Sequence, residues 1–227
     1  WLGFNERVLH EALDDNNPAY EKLKFIAIFN SNLDEFFNVR VGSLNDLSLL
    51  KDPPNDNKTG LSPDEQLNLI YKRTGELLHE NEDLYKKVMK DLEAKGIHSY
   101  KYTDLDEKNK AFVDKIYTDQ IEPILAPQII NSFHPFPFIE NKNIYIICEL
   151  DSDGEYNLGL LPIPYALPEY YMLSDKTWIR TESILKAKVD KVFSFYKVKK
   201  SYIMNLHRNM DLNYEDLSLI HISEPTR

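Results

Sequence analysis

Between Asn17 and Leu50 the apolar residues recur every three or four positions, which predicts an amphipathic helix. Asn17 is the expected cap, and Pro18 suits the first helical position, where its missing N–H is no loss. Wound at about 100° per residue from Asn32, the side chains of Phe25, Ile26, Phe29, Leu33, Phe36, Phe37 and Leu44 share one broad arc. Lys24, Ser31, Asp34, Glu35 and Asn38 fall opposite. Three polar residues break the pattern: Asn32 at the rim of the apolar arc, Arg40 near its middle and Asn30 at its other edge. An amide or guanidinium buried without partners is expensive, so each needs a protein partner or a ligand. The residues alone allow both readings. In the structural one Arg40 pairs with a carboxylate, Glu6 or Glu11, and the two amides bond to backbone. In the other, the polar groups are held on a rigid helix and aimed at a ligand.

The stretch "KDPPNDNKTG" is a loop, and "SPDE" then opens a second helix. Ser62 caps, Pro63 takes the first position and Glu65 closes a capping box. Leu67, Ile70, Thr74, Leu77, Leu84, Val88 and Leu92 keep the helical spacing until Gly96 supplies a stop. A helix of about 30 residues spans roughly 45 Å. The two long helices should pack antiparallel, with Phe29, Leu33 and Phe36 facing Ile70, Leu77 and Leu84, and "FNERVLHEAL" should add a third helix.

The second half changes rhythm. Thr103 is the expected cap of a helix ending before Pro123. "SFHPFPFI", "NIYIICEL", "NLGLLPIP" and "KSYIMNLHR" read as strands of a mainly antiparallel sheet, with a helix over "TESILKAKVDKVF" capped by Thr181. Strands and helices without a regular βαβ alternation predict an α+β fold. The organisation expected is a helical N-terminal domain over 1–99, a partial α+β domain over 100–216 and a tail over 217–227.

Composition narrows the function. Of the 227 residues, 42% are hydrophobic and 12% aromatic, enough for a packed core. The net charge of −10 argues against a general nucleic-acid binder, so any anion site must be local. The single cysteine, Cys148, lies in an apolar strand and can form no disulfide within the chain, which fits a reducing, cytoplasmic compartment. No apolar run reaches the length of a transmembrane segment and no signal peptide is visible, although peripheral membrane association stays compatible. The chain opens on Trp1 rather than Met, which suggests that residues precede it.

Neither common phosphate-cradling glycine motif is present, nor HExxH, CxxC or G-x-S-x-G, and no two of the six histidines stand at metal-ligand spacing. His134, between aromatics and prolines, reads as a structural residue or a proton-transfer or phosphoacceptor group; His207 reads as a sheet residue near the surface. From Asp175 to Arg208 nine basic residues (Lys176, Arg180, Lys186, Lys188, Lys191, Lys197, Lys199, Lys200, Arg208) meet only three acids. They form either a solvated surface or an anion-facing patch.

"WLGFNERVLHEA" followed by "NPAYEKLKFIAIFNSNLDEFFNVRVGSL" closely resembles the N-terminal domain of type 1 polyphosphate kinases. "IEPILAP", "FHPFPFIENK", "WIRTESILKAKVDKVFSFYKV" and "NLHRNMDL" resemble, in order, that family's head domain, so the likeness runs to about residue 216. The resemblance implies an enzyme that reversibly transfers the terminal phosphoryl of ATP to inorganic polyphosphate through a phosphohistidine. It implies four domains, with the phosphohistidine and the magnesium-binding arginines on two C-terminal domains that nothing here matches. His134 is therefore not assigned as phosphoacceptor, and Mg2+ is expected outside this segment. The family's nucleotide-contacting asparagine, just before L-D-E-F, falls on Asn32. Arg40 and Asn30 receive no role from the motif. ATP/ADP, polyphosphate and a homo-oligomeric full-length protein are the implied partners.

The last residues, "LSLIHISEPTR", depart from the family and resemble read-through of sequencing adapter rather than native protein. The expectation is a truncated polyphosphate kinase, inactive alone, that contributes adenine contacts and dimer contacts. The rival is a non-catalytic assembly module, a helical hairpin joined to a small sheet domain. The absence of a phosphate loop favours the rival for the chain as it stands, and the long opening motif favours the kinase.

Overall fold

A computed structural model describes residues 1–131, 136–152 and 154–207. They form two compact units, one over Trp1–Leu92 that also takes in His207, the other over Glu93–Leu206.

The first unit is helical. It holds α1 (Leu2–His10), α2 (Ala19–Glu35), a π-helical turn over Phe36–Val41, α3 (Gly42–Ser48) and α4 (Pro63–Glu93). The capping box at the start of α4 forms in full: Ser62 N–H donates to Glu65 Oε2 at 2.8 Å and Glu65 N–H to Ser62 Oγ at 3.3 Å. Asn17 does not cap α2. Pro18 holds that position, and the Asn17 amide instead donates to the Glu11 carbonyl at 2.8 Å, tying down the turn between α1 and α2.

The helices pack as the periodicity predicts. Asn30 meets Asn81 and Phe37 meets Tyr71, so α2 and α4 run antiparallel. Glu6 meets Arg73 and His10 meets Glu80, so α1 runs parallel to α4. Phe29, Leu33, Leu77 and Leu84 are buried in this bundle, whereas Phe36 and Ile70 are only half buried and line a groove.

The second unit contains β1 (His98–Tyr100), α5 (Glu107–Ile116), β2 (Gln128–Ile130), β3 (Ile144–Ser152), β4 (Glu155–Pro162), β5 (Tyr170–Ser174), β6 (Thr177–Arg180), α6 (Thr181–Ala187), α7 (Val189–Val192) and β7 (Lys197–Asn205). One sheet has the order β2-β4-β3-β7 and is wholly antiparallel; the other, β1-β6-β5, contains one parallel pair, β1 with β6. The fold is α+β. Along β3 the period of two sends Ile146, Cys148 and Leu150 into the larger core with Ile184, Leu185 and Phe193, and Tyr145 into a smaller one with Leu160 and Ile139. Gly159 on β4 is required by close approach: a Cβ there would stand 2.9 Å from Leu150 Cδ1 and 2.9 Å from the Phe193 ring.

Three local expectations are corrected here. Thr103 lies in a 3-10 turn, and Asp106 caps α5, accepting from Asn109 N–H at 2.7 Å. Thr181 is the first residue of α6 rather than its cap, and its hydroxyl donates to the Pro168 carbonyl. Phe136–Ile139, the described part of "SFHPFPFI", is not a strand; Pro137 has no N–H to give to a ladder.

Candidate functional site

Asn32 sits on the α1-facing side of α2 and is half buried. Its Nδ2 donates to Asn5 Oδ1 at 3.0 Å, and Asn5 Nδ2 donates to the Phe29 carbonyl at 3.0 Å. Asn5 is completely buried, 0% exposed, so no water competes for either bond. Asn30 is a structural amide: its Nδ2 donates back to the Ile26 carbonyl at 2.9 Å, and its Oδ1 accepts from Asn81 at 3.2 Å.

Arg40 overturns the structural expectation. It is exposed and forms no ion pair among the described residues, while Glu6 pairs with Arg73 at 2.6 Å. The cause is the π turn over Phe36–Val41, whose wider coil rotates everything after Glu35 away from the 100° wheel. Asn38, on the polar side of that wheel, is thereby buried, and Val39 and Arg40 turn out to solvent. Arg40 now lines a groove of about 680 Å³ with Trp1, Phe36, Leu44, Gln66 and Ile70, and among the described residues it is the only charged side chain in that lining. A second, smaller cleft of about 290 Å³ lies where the π turn meets α4 and is lined by Asn30, Asn38 and Thr74 among others. Asn38 Nδ2 and Thr74 Oγ1 are buried there without a hydrogen-bond partner.

The other candidates fare differently. His134 lies outside the described residues, and His207 is exposed just beyond β7. Cys148 is buried, and burial pushes its thiol up to about 11, so it is an inert core residue. The basic residues of 175–208 are not a single free patch. Lys188 bonds Asp114 at 2.6 Å and the Tyr102 hydroxyl at 2.8 Å, Lys199 pairs with Asp151 at 2.7 Å and Arg180 with Glu182 at 2.7 Å, while Arg208 lies outside the described residues. Magnesium needs clustered oxygen ligands. Among the described residues no three acidic, His or Cys side chains gather as a metal site. No described helix is long and apolar enough to cross a membrane.

Asn5 is the site residue that sequence reasoning missed. Its signal was an amide four residues before Leu9, on the buried face of a short helix.

Two family profiles match the chain: the polyphosphate kinase N-terminal domain over residues 1–100 and the polyphosphate kinase middle domain over 108–221. A polyphosphate kinase of Exiguobacterium sp. is 35% identical over 223 residues, covering 95% of this chain and 31% of the relative. One from Bacillus anthracis is 35% identical over 227 residues, with 95% and 32% covered. The crystal structure of polyphosphate kinase from Porphyromonas gingivalis superposes with a TM-score of 0.78 at 28% identity, over 93% of this chain and 32% of that one. The chain thus spans about a third of the length of the relatives it matches. With two consecutive domain profiles covering nearly all its residues, this chain belongs to the polyphosphate kinase family.

Proposed function

We propose that this chain is the N-terminal and middle part of an enzyme that reversibly transfers the terminal phosphoryl of ATP to inorganic polyphosphate, and that its own contribution is to bind and cover the nucleotide through Asn32. Phosphoryl transfer asks mainly for positioning and charge stabilisation, so a segment without the reacting groups can still govern how ATP is held. On this reading the catalytic histidine and the Mg2+ ligands are supplied by domains beyond these residues, the full-length protein is a homo-oligomer, and this segment takes part in its dimer contacts. The domain limits that accompany the proposal are 1–99 and 100–216.

The observation that carries the reading is the state of Asn32. It is half buried, one end of its amide is anchored to a buried neighbour, and its Oδ1 makes no hydrogen bond among the described residues. Asn30, by contrast, has both ends of its amide bonded within the helical unit. An amide offers a donor and an acceptor, which suits an adenine edge or a ribose hydroxyl.

The test is steady-state kinetics on the full-length enzyme with Asn32→Ala. One lost neutral hydrogen bond is worth about 0.5–1.5 kcal/mol, so the KM for ATP should rise roughly two- to tenfold while kcat changes less. An unchanged ATP dependence together with a large loss of thermal stability would make Asn32 a structural amide.

A further inference from the structure

The Phe29 carbonyl can only accept a hydrogen bond. The Asn5 amide beside it must therefore present its nitrogen, as the 3.0 Å contact shows. That choice turns Asn5 Oδ1 toward Asn32, and an oxygen acceptor there demands the Asn32 nitrogen, again at 3.0 Å. Because an amide is rigid and planar, the Asn32 oxygen is left on the side away from Asn5. A flip of either side chain would set oxygen against oxygen or nitrogen against nitrogen, and the full burial of Asn5 excludes the water that could relieve such a clash. Packing alone does not call for an amide at position 5, since an aliphatic side chain of similar size would fill the space with nothing to satisfy.

We propose that Asn5 is a positioning residue for the nucleotide contact: it locks the Asn32 amide so that Oδ1 is the atom offered to the ligand, and the ligand must present an N–H or O–H donor there. The inference rests on the reading of Asn32 as a nucleotide contact. It adds a polarity to that contact, which the bare presence of an amide does not supply. Two donors on ATP fit: the exocyclic amine of adenine and a ribose hydroxyl. A purine with a keto oxygen in place of the amine would turn a lone pair toward Asn32 Oδ1 and be disfavoured.

The experiment compares wild type, Asn32→Ala, Asn5→Leu and the double variant of the full-length enzyme, with ATP, ITP and 2′- and 3′-deoxy-ATP as substrates and a thermal melt of each protein. Asn5→Leu keeps the bulk and removes the relay; if it does not fold, Asn5→Ser, whose hydroxyl is too short to bridge both partners, takes its place. The expected result is a roughly two- to tenfold rise in the KM for ATP in both single variants, the size of one neutral hydrogen bond, with no further rise in the double variant and kcat less affected. Preference for ATP over one of the analogues should shrink by a similar factor, ITP marking the amine and a deoxy-ATP the hydroxyl. If Asn32→Ala leaves the KM unmoved, the nucleotide-contact reading itself fails. If Asn32→Ala raises the KM while the Asn5 variant lowers only the melting temperature, or if the two effects multiply, the positioning role is overturned. If the Asn5 variant leaves all analogue preferences as in wild type, the donor assignment is overturned.

Discussion

Trp1 and Phe36 stack face to face, with ring centroids 4.3 Å apart and planes 5° from parallel. The pair clips the start of α1 to the first residue of the π turn, although Trp1 is 52% exposed and Phe36 only half buried. Phe36→Ala should therefore destabilise by about 1–3 kcal/mol, less than the roughly 3–5 of a fully buried phenylalanine. Urea unfolding with an unchanged m-value is the measurement, and a shift within error would show that the stack adds nothing to the fold.

Acid should loosen the helical unit through Glu6. The hydrogen bond from Arg73 is the main force holding this carboxyl below the usual 4.5, with smaller electrostatic help from Arg73, His10 and Arg7. The folded-state value is thus depressed. The stability it contributes is fully present above the unfolded value and is lost as pH falls through the lower, folded one. Arg73→Met should flatten the pH dependence of the melting temperature from about pH 4.5 downward. Equal slopes in the two proteins would place the acid sensitivity elsewhere.

Gly159→Ala should destabilise the second unit. The added Cβ would stand 2.9 Å from both Leu150 Cδ1 and the Phe193 ring, two side chains buried in the larger core. Overpacking of this kind costs about 1–3 kcal/mol. A variant as stable as wild type in denaturant titration would show that Phe193 swings aside without loss.

Much of this was legible in the sequence. Ser62, Pro63 and Glu65 announced the start of α4 because capping chemistry is local, and Phe29, Leu33, Leu77 and Leu84 were placed in the core by a spacing that survives in the structure. The shift at Phe36–Val41 was not legible. Nothing in "FFNVRV" distinguishes a π turn from an α turn, since tertiary packing selects it, and one wide turn was enough to exchange the fates of Asn38 and Arg40. Asn32 was marked by its place on the wheel, but its partner was hidden. The Asn5–Asn32 bond spans 27 positions and depends on how α1 lies against α2. The caps assigned to Asn17, Thr103 and Thr181 failed because each side chain found a different partner or its helix began elsewhere.

Thr74→Val asks what occupies the cleft between the π turn and α4. Thr74 Oγ1 is buried without a partner in the protein, and an isosteric methyl would abolish that deficit. Without a bound molecule the substitution should be neutral or stabilising by up to about 1–3 kcal/mol, the desolvation cost of an unsatisfied group. A clear loss of stability would reveal an ordered water or ligand bonded to the hydroxyl.

The lysines of β7 acquire a different meaning from the strand's position. Among the described residues β7 lies at the margin of the four-stranded sheet, nine residues long, with Lys197, Lys199 and Lys200 exposed along it. A strand arriving from another copy would have to dehydrate the ammonium groups of Lys197 and Lys200 and disturb the Lys199–Asp151 pair before any backbone bond could form. The same charges that suggested an anion-facing patch would therefore oppose edge-to-edge pairing with another strand. Replacing them with threonine or valine would leave the sheet intact and make its edge a seed for aggregates.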